Sequence, residues 1–301
     1  MSALHHDANW PRAGGWLRGE FTGRALGRIG VLGAPSTLGS ITPGRCDLAP
    51  GAIRNALERF STFDFATGGD VRDLSVHDLG DLDIATLSIT DAYPIIRDGV
   101  SRAVTNADAL VVLGGDNSIT RAGVSALEDC SLITFDAHLD LRDTDRGLNN
   151  GNPVRALLED GFPGNRITQI GIQSFANSPA YADVARSAGI RIVTVEEVHA
   201  RGIGEVVAEA LRSIETEFAY VDLDIDVLDR AFAPAAPGSR PGGLMPWQMR
   251  IAARMCGASP KVRAMDLVEL DPARDTGDIT SLSAAALLLS FASGVLERCS
   301  R

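Results

Sequence analysis

Short runs of apolar and β-branched residues recur along the chain, separated by longer stretches with a helical period. Eight runs read as strands: Arg28 to Leu32, Ser75 to Leu79, Ala109 to Leu113, Ser131 to Phe135, Ile167 to Ile172, Ile190 to Val195, Phe218 to Leu223 and Val262 to Val268. The 3.6-residue period predicts helices at Ala49 to Arg59, Ile89 to Asn106, Pro179 to Ala188, Gly204 to Thr216, Pro246 to Cys256 and Ile279 to Leu296. This alternation predicts a three-layer α/β/α sandwich around one parallel sheet of about eight strands. With no internal repeat, low-complexity segment or long linker, residues 1–301 read as a single domain, with 1–25 as an N-terminal extension.

Open sheets of this kind collect ligands at the carboxyl ends of their strands. Polar clusters follow four of the predicted strands: Gly114-Gly115-Asp116-Asn117, Asp136-Ala137-His138-Leu139-Asp140, Asp224-Ile225-Asp226, and Glu269. If parallel strands bring the second and third clusters together, Asp136, Asp140, Asp224, Asp226 and His138 converge. Carboxylates that close repel one another and cannot all stay ionised. Two divalent cations would cancel four negative charges, and hard oxygen ligands with one imidazole suit manganese better than zinc, nickel or iron. The pattern therefore predicts a two-metal hydrolytic centre.

Charge and composition narrow the partners. The formal net charge is −11 and no basic patch stands out, which argues against nucleic acid and anionic membranes and for a small-molecule substrate. Cys46, Cys130, Cys256 and Cys299 are scattered, without metal or disulfide spacing, which predicts a reducing cytoplasm. Residues 1–24 lack the apolar core of a signal peptide, and no run is read as reaching the roughly 18 apolar residues of a membrane span. His5 and His6 are expected to be solvent-exposed, and His77 and His199 structural.

As motifs these residues resemble the ureohydrolase superfamily, which includes arginase, agmatinase, guanidinobutyrase and formimidoylglutamase, over most of the chain from about Gly30. Gly114 to Ser118 resembles GGDHS, Asp136 to Asp140 DAHxD, Asp224 to Asp229 DxDxxDP, Pro234 to Leu244 the PGTGxPxxGGL loop, and Val268 to Pro272 VEVNP. The resemblance implies an arginase-like fold, a trimer or hexamer, and two metal ions. Asp136 and Asp224 would bridge the metals, His138 and Asp226 would complete one site, and Asp140 with the residue at 117 the other. A metal-bridging hydroxide would attack the substrate carbon, with Asp140 moving its proton and Glu269 holding the cationic amidinium or guanidinium group.

Two departures bear on the substrate. Asn117 stands where the family usually has a histidine ligand, which would leave one metal site weak. Asn150 replaces the histidine of the agmatinase HGTPFR segment, and an amide cannot titrate near neutral pH. Formimidoylglutamases also lack that histidine and tend to carry DLR after the DAHxD core, as Asp140-Leu141-Arg142 does here. The resemblance is thus nearest to that branch and implies hydrolysis of N-formimino-L-glutamate to L-glutamate and formamide. Arg142, Arg155, Asn150 and Asn152 are the candidate substrate contacts, the arginines for its carboxylates; each arginine reads equally as a solvated surface residue. Two other readings stay open: a guanidino hydrolase releasing urea, and a noncatalytic member with an eroded metal site.

Overall fold

The computed structural model describes residues 7–21 and 23–301; His5 and His6 lie outside them. The main sheet comprises β1 (Gly27–Ala34), β2 (Leu74–Asp81), β3 (Ala109–Gly114), β4 (Cys130–Phe135), β5 (Ile167–Ile172), β6 (Arg191–Thr194), β7 (Phe218–Asp224) and β8 (Val262–Val268). Its spatial order is 2-1-3-8-7-4-5-6 and every pairing is parallel. The eight predicted strands are the eight of this sheet, with ends shifted by at most two residues.

Each strand divides its side chains between two cores. On β3, Ala109, Val111 and Leu113 face one core, while Leu110 and Val112 face the other. A strand covered on both faces needs apolar residues at consecutive positions, which is why these runs read as continuous rather than alternating. Over the first face pack α1 (Ala13–Leu17), α2 (Ala49–Ala56), α7 (Val195–Arg201), α8 (Ile203–Arg212), α9 (Pro246–Ala258) and α10 (Ile279–Cys299). Over the second lie α3 (Ile89–Thr105), α4 (Thr120–Ser125), α5 (Pro153–Glu159) and α6 (Pro179–Ala188).

Helix ends follow local side-chain chemistry. Ser88 accepts from Asp91 N at the start of α3, Ser178 caps α6, and Thr194 forms a reciprocal capping box with Glu197 on α7. Gly189 ends α6 in the left-handed conformation.

Two features depart from the sequence expectations. Ahead of β1, α1 joins the core, with Trp16 fully buried and its indole N–H donating to the Leu74 carbonyl at 3.2 Å. The apolar window of α10 has mean hydropathy 1.9, so by length and composition α10 is long and apolar enough to cross a membrane, contrary to the sequence reading. In this fold 72% of that window is buried inside the protein, and the helix packs along α9. Serines and a threonine interrupt its apolar residues, which masks the run in a search for unbroken hydrophobicity.

Candidate metal centre

Strand order brings the polar clusters together. The four strands that carry them, β3, β8, β7 and β4, are consecutive in the middle of the sheet, so their carboxyl ends share one rim. Beyond β4 and β7 the chain makes the same local turn. Asp136 Oδ1 accepts from His138 N at 2.6 Å, and Asp224 Oδ1 accepts from Asp226 N at 2.8 Å. This aspartate turn holds residues i and i+2 together. The Asp136–Asp140 segment is also braced from β5 and its following loop. Asn177 accepts from Leu139 N at 2.8 Å and donates to the Ala137 carbonyl at 3.0 Å, and Gln169 donates to the Leu139 carbonyl at 3.1 Å.

Ligand atoms of Asp136, His138 and Asp226 lie within 4.8 Å of one another. His138 Nδ1 is 3.0 Å from Asp226 Oδ2 and 3.4 Å from Asp136 Oδ1. Asp140, Asp224 and Glu269 line the same cavity. Asp140 and Glu269 both hold positive φ, +52° and +64°, a conformation that costs a non-glycine residue roughly 1 kcal/mol or more and gathers at functional sites.

Five buried acids around one imidazole make a charge-frustrated site. Burial, then the neighbouring Asp226, pushes the Asp136 carboxyl up to about 6. Burial, then Asp116, pushes Glu269 up to about 8. Asp140 and Asp224 are driven well above the carboxylate range, by burial first and then by Asp136 and Asp226 respectively. Burial is the largest influence on Asp226 too, but the His138 side chain and the Ala137 N–H together outweigh it and hold that carboxyl low. For His138 the influences conflict. Burial disfavours the charged ring and the flanking aspartates favour it, while Arg240 Nη1 lies 2.7 Å from Nε2. A guanidinium can only donate, so the contact requires Nε2 to accept and Nδ1 to carry the ring proton toward Asp226; the short contact decides for the neutral ring. An oxygen-rich donor set with one imidazole and excess negative charge fits divalent cations of the manganese kind.

Asn117 lies just beneath the cavity. Its Nδ2 donates to Asp140 Oδ2 at 2.5 Å, its Oδ1 is 2.7 Å from the Thr120 hydroxyl, and its backbone N donates to Glu269 Oε1 at 2.7 Å. The amide oxygen, the atom expected to coordinate, is thus turned toward Thr120. Arg142 and Asn150 line the cavity. Asn152 and Arg155 do not: Asn152 is buried in its loop, accepting from Asn149 N at 2.8 Å and donating to Gly147 O at 3.1 Å, and Arg155 pairs with Glu159 along α5 at 2.7 Å. Cys46 is fully buried, its thiol pushed up by burial and then by Glu269.

Several functional groups escaped sequence reasoning. Arg240 and Asn177 join the cavity lining from loops whose spacing alone gives no direction to a side chain. Behind the metal centre, Asp222 on β7 and Asp266 on β8 face each other in register. Tyr220 and Thr120 hydroxyls each lie 2.9 Å from Asp266 Oδ2, while Asp222 Oδ1 and Asp266 Oδ1 lack partners. Burial and then Asp266 push Asp222 well up, so the pair shares a proton. The available signal was an aspartate inside each of two buried strand runs.

Comparison with known proteins gives concordant matches. The Arginase family profile matches residues 27–293. The formimidoylglutamase of Halalkalibacterium halodurans is 35% identical over 282 residues, 90% of this chain and 88% of that one. The guanidinopropionase of Pseudomonas aeruginosa is 31% identical over 298 residues, 93% and 91% of the two chains. Among solved structures, formimidoylglutamase from Bacillus subtilis superposes with a TM-score of 0.89 at 30% identity, covering 98% of this chain and 94% of that one.

Proposed function

The chain belongs to the arginase family and is a hydrolase of C–N bonds, and from that premise we propose that its substrate is N-formimino-L-glutamate, cleaved to L-glutamate and formamide. The observation that carries this reading is the pair of arginines at the cavity. Arg142 and Arg240 both line it from exposed positions, and among the described residues neither forms an ion pair with a carboxylate. Two unneutralised guanidinium groups suit a tail bearing two carboxylates and repel a cationic tail such as that of agmatine.

Asp136, His138, Asp140, Asp224 and Asp226 would hold two divalent ions; manganese is the ion we propose. The chemistry such ions supply when bound is a nucleophilic water at neutral pH. Glu269 receives the amidinium by a charge-assisted hydrogen bond and fixes its carbon over the metal-binding carboxylates. Asp140, on the same cavity wall, accepts and returns a proton there. Arg142 and Arg240 hold the tail. Asn150 cannot titrate and takes no part in proton transfer. Four free cysteines support the cytoplasmic location we also propose.

The 31% identity to a guanidinopropionase favours a second reading, a guanidino acid whose tail is also anionic. The deciding experiment reconstitutes the purified protein with manganese and offers N-formimino-L-glutamate, agmatine, arginine and 4-guanidinobutyrate. Formamide from the first is expected. Urea from any of the others, without formamide, overturns the proposal.

A further inference from the structure

Asn150 occupies both ends of its amide within the protein. Its Oδ1 accepts from Ile41 N at 3.0 Å, and its Nδ2 donates to Glu269 Oε1 at 2.9 Å. A backbone N–H can only donate, which assigns the oxygen to Ile41 and the nitrogen to Glu269. Glu269 Oε1 also accepts from Asn117 N at 2.7 Å. A carboxylate oxygen offers two good acceptor positions, so Oε1 is filled. Among the described residues no donor reaches Oε2, which is the oxygen left for a substrate in the cavity that Glu269 lines. The carboxylate cannot swing to free its other oxygen without breaking both bonds, and its backbone is pinned at φ +64° with its N–H donating to the Gly115 carbonyl at 2.9 Å.

We infer that Asn150 is a positioning residue that makes Glu269 a one-oxygen acceptor, and so selects a formimidoyl head group over a guanidine. This rests on the reading of Glu269 as the group that holds the substrate's cationic end. A guanidinium docks on a carboxylate through two parallel N–H groups, one to each oxygen. Here only Oε2 is open, so a guanidine's two terminal N–H groups must share that one oxygen at poorer angles, which is weaker than the two-oxygen fork. A formimidoyl group carries a C–H where guanidine carries its third nitrogen, and needs no acceptor there. The arginines therefore read the tail, and the amide of Asn150, through Glu269, reads the head.

The test uses two compounds with one tail: N-formimino-L-glutamate and its guanidine counterpart, N-amidino-L-glutamate, each assayed with the manganese-loaded protein. The wild type is expected to favour the first in kcat/KM by about tenfold, the scale of one weakened charge-assisted hydrogen bond. Asn150→Ala frees a position on Oε1 and should cut that preference by about tenfold, chiefly through gain with the guanidine. Asn150→Asp keeps the acceptor for Ile41 N but removes the donor and sets a second carboxylate beside Glu269; the added charge acts alike on the two cationic head groups, so the ratio must still move the same way even if the alanine variant does not fold. A merely structural role would lower both rates and leave the ratio alone; an unchanged ratio in the folded variants overturns the inference. That result leaves the formimino reading standing if the wild type still releases formamide, whereas a wild type that prefers the guanidine overturns both.

Discussion

Gly238→Ala adds one methyl group where the metal centre has no room for it. A Cβ at position 238 would lie 2.9 Å from His138 Cε1, 3.1 Å from Asp226 Cγ and nearer still to Asp226 Oδ2. Ordinary contact with carbon begins near 3.5 Å, so the Asp226 carboxyl must retreat by about 1 Å. That oxygen sits 3.0 Å from His138 Nδ1, and the retreat breaks their pairing. Metal–ligand distances tolerate only about 0.2 Å, so the expected loss in manganese affinity is at least the roughly 10–100-fold that follows disturbance of a supporting group. The fold should survive, because overpacking of this kind costs about 1–3 kcal/mol, which at this chain length lowers the melting temperature by a few degrees. Isothermal titration with manganese, beside a thermal melt of the metal-free protein, separates the two effects. Wild-type manganese affinity in the folded variant would refute the reasoning, since it would mean that Asp226 is not a ligand or that the 237–240 loop yields without cost.

The metal-free protein should lose stability as pH rises. Glu269 is raised from its ordinary 4.5 to about 8, and Asp136 and Asp266 from 3.8 to about 6. Each is a group whose folded state keeps a proton that the unfolded chain has released. Its stabilising contribution is therefore complete below its ordinary value and is lost as pH climbs through 6 and then 8. Asp226, held low by His138, contributes fully above 3.8 and does not change across that window. EDTA-stripped protein should thus melt lower at pH 8 than at pH 5, with manganese removing the slope; a flat or rising profile without metal contradicts the burial argument. Tyr220→Phe removes a donor to the buried Asp266 and should cost about 1.5–3 kcal/mol, read as a lower denaturant midpoint at unchanged m-value. An unchanged midpoint would show that Thr120 and the shared proton satisfy Asp266 unaided.

The strands were legible because a sheet covered on both faces demands unbroken apolar runs, and few other structures tolerate them. Of the helices, α6 matches its sequence bounds, since Ser178 and Pro179 open it and Gly189 closes it. By contrast α4, α5 and α7 are six or seven residues long, under two turns, and too short for a period to emerge from the pattern. The hairpin of Phe63–Asp64 with Gly69–Asp70 is two residues to a strand and carries no alternation at all. For the site, Asp136, His138, Asp140, Asp224, Asp226 and Glu269 could be grouped because each follows a recognisable strand, and the strand fixes where it ends up. Asn152 and Arg155 had no such anchor. They sit at the start of α5, where one residue of helical rotation turns a side chain by about 100° and decides between cavity and solvent. Arg240 went unread for the converse reason, since a Gly- and Pro-rich loop can aim a side chain anywhere.

One consequence of the strand order concerns the making of the protein rather than its working. β8 is the single joint between two half-sheets, 2-1-3 on one side and 7-4-5-6 on the other, and it is the last strand to be synthesised. Until it slides between Leu110–Leu113 of β3 and the length of β7, the two halves share no backbone hydrogen bond across the sheet. The aspartates and histidine that gather cations all hang from the second half, whereas Glu269 rides on the joint itself. A chain stopped short of Val268 thus retains a half that can attract metal but has no means of gripping an amidine. Because β8 pairs with a strand some 150 residues earlier, its insertion is the step with the largest loop-closure cost, and it is where slow folding and aggregation of an unfinished sheet should concentrate.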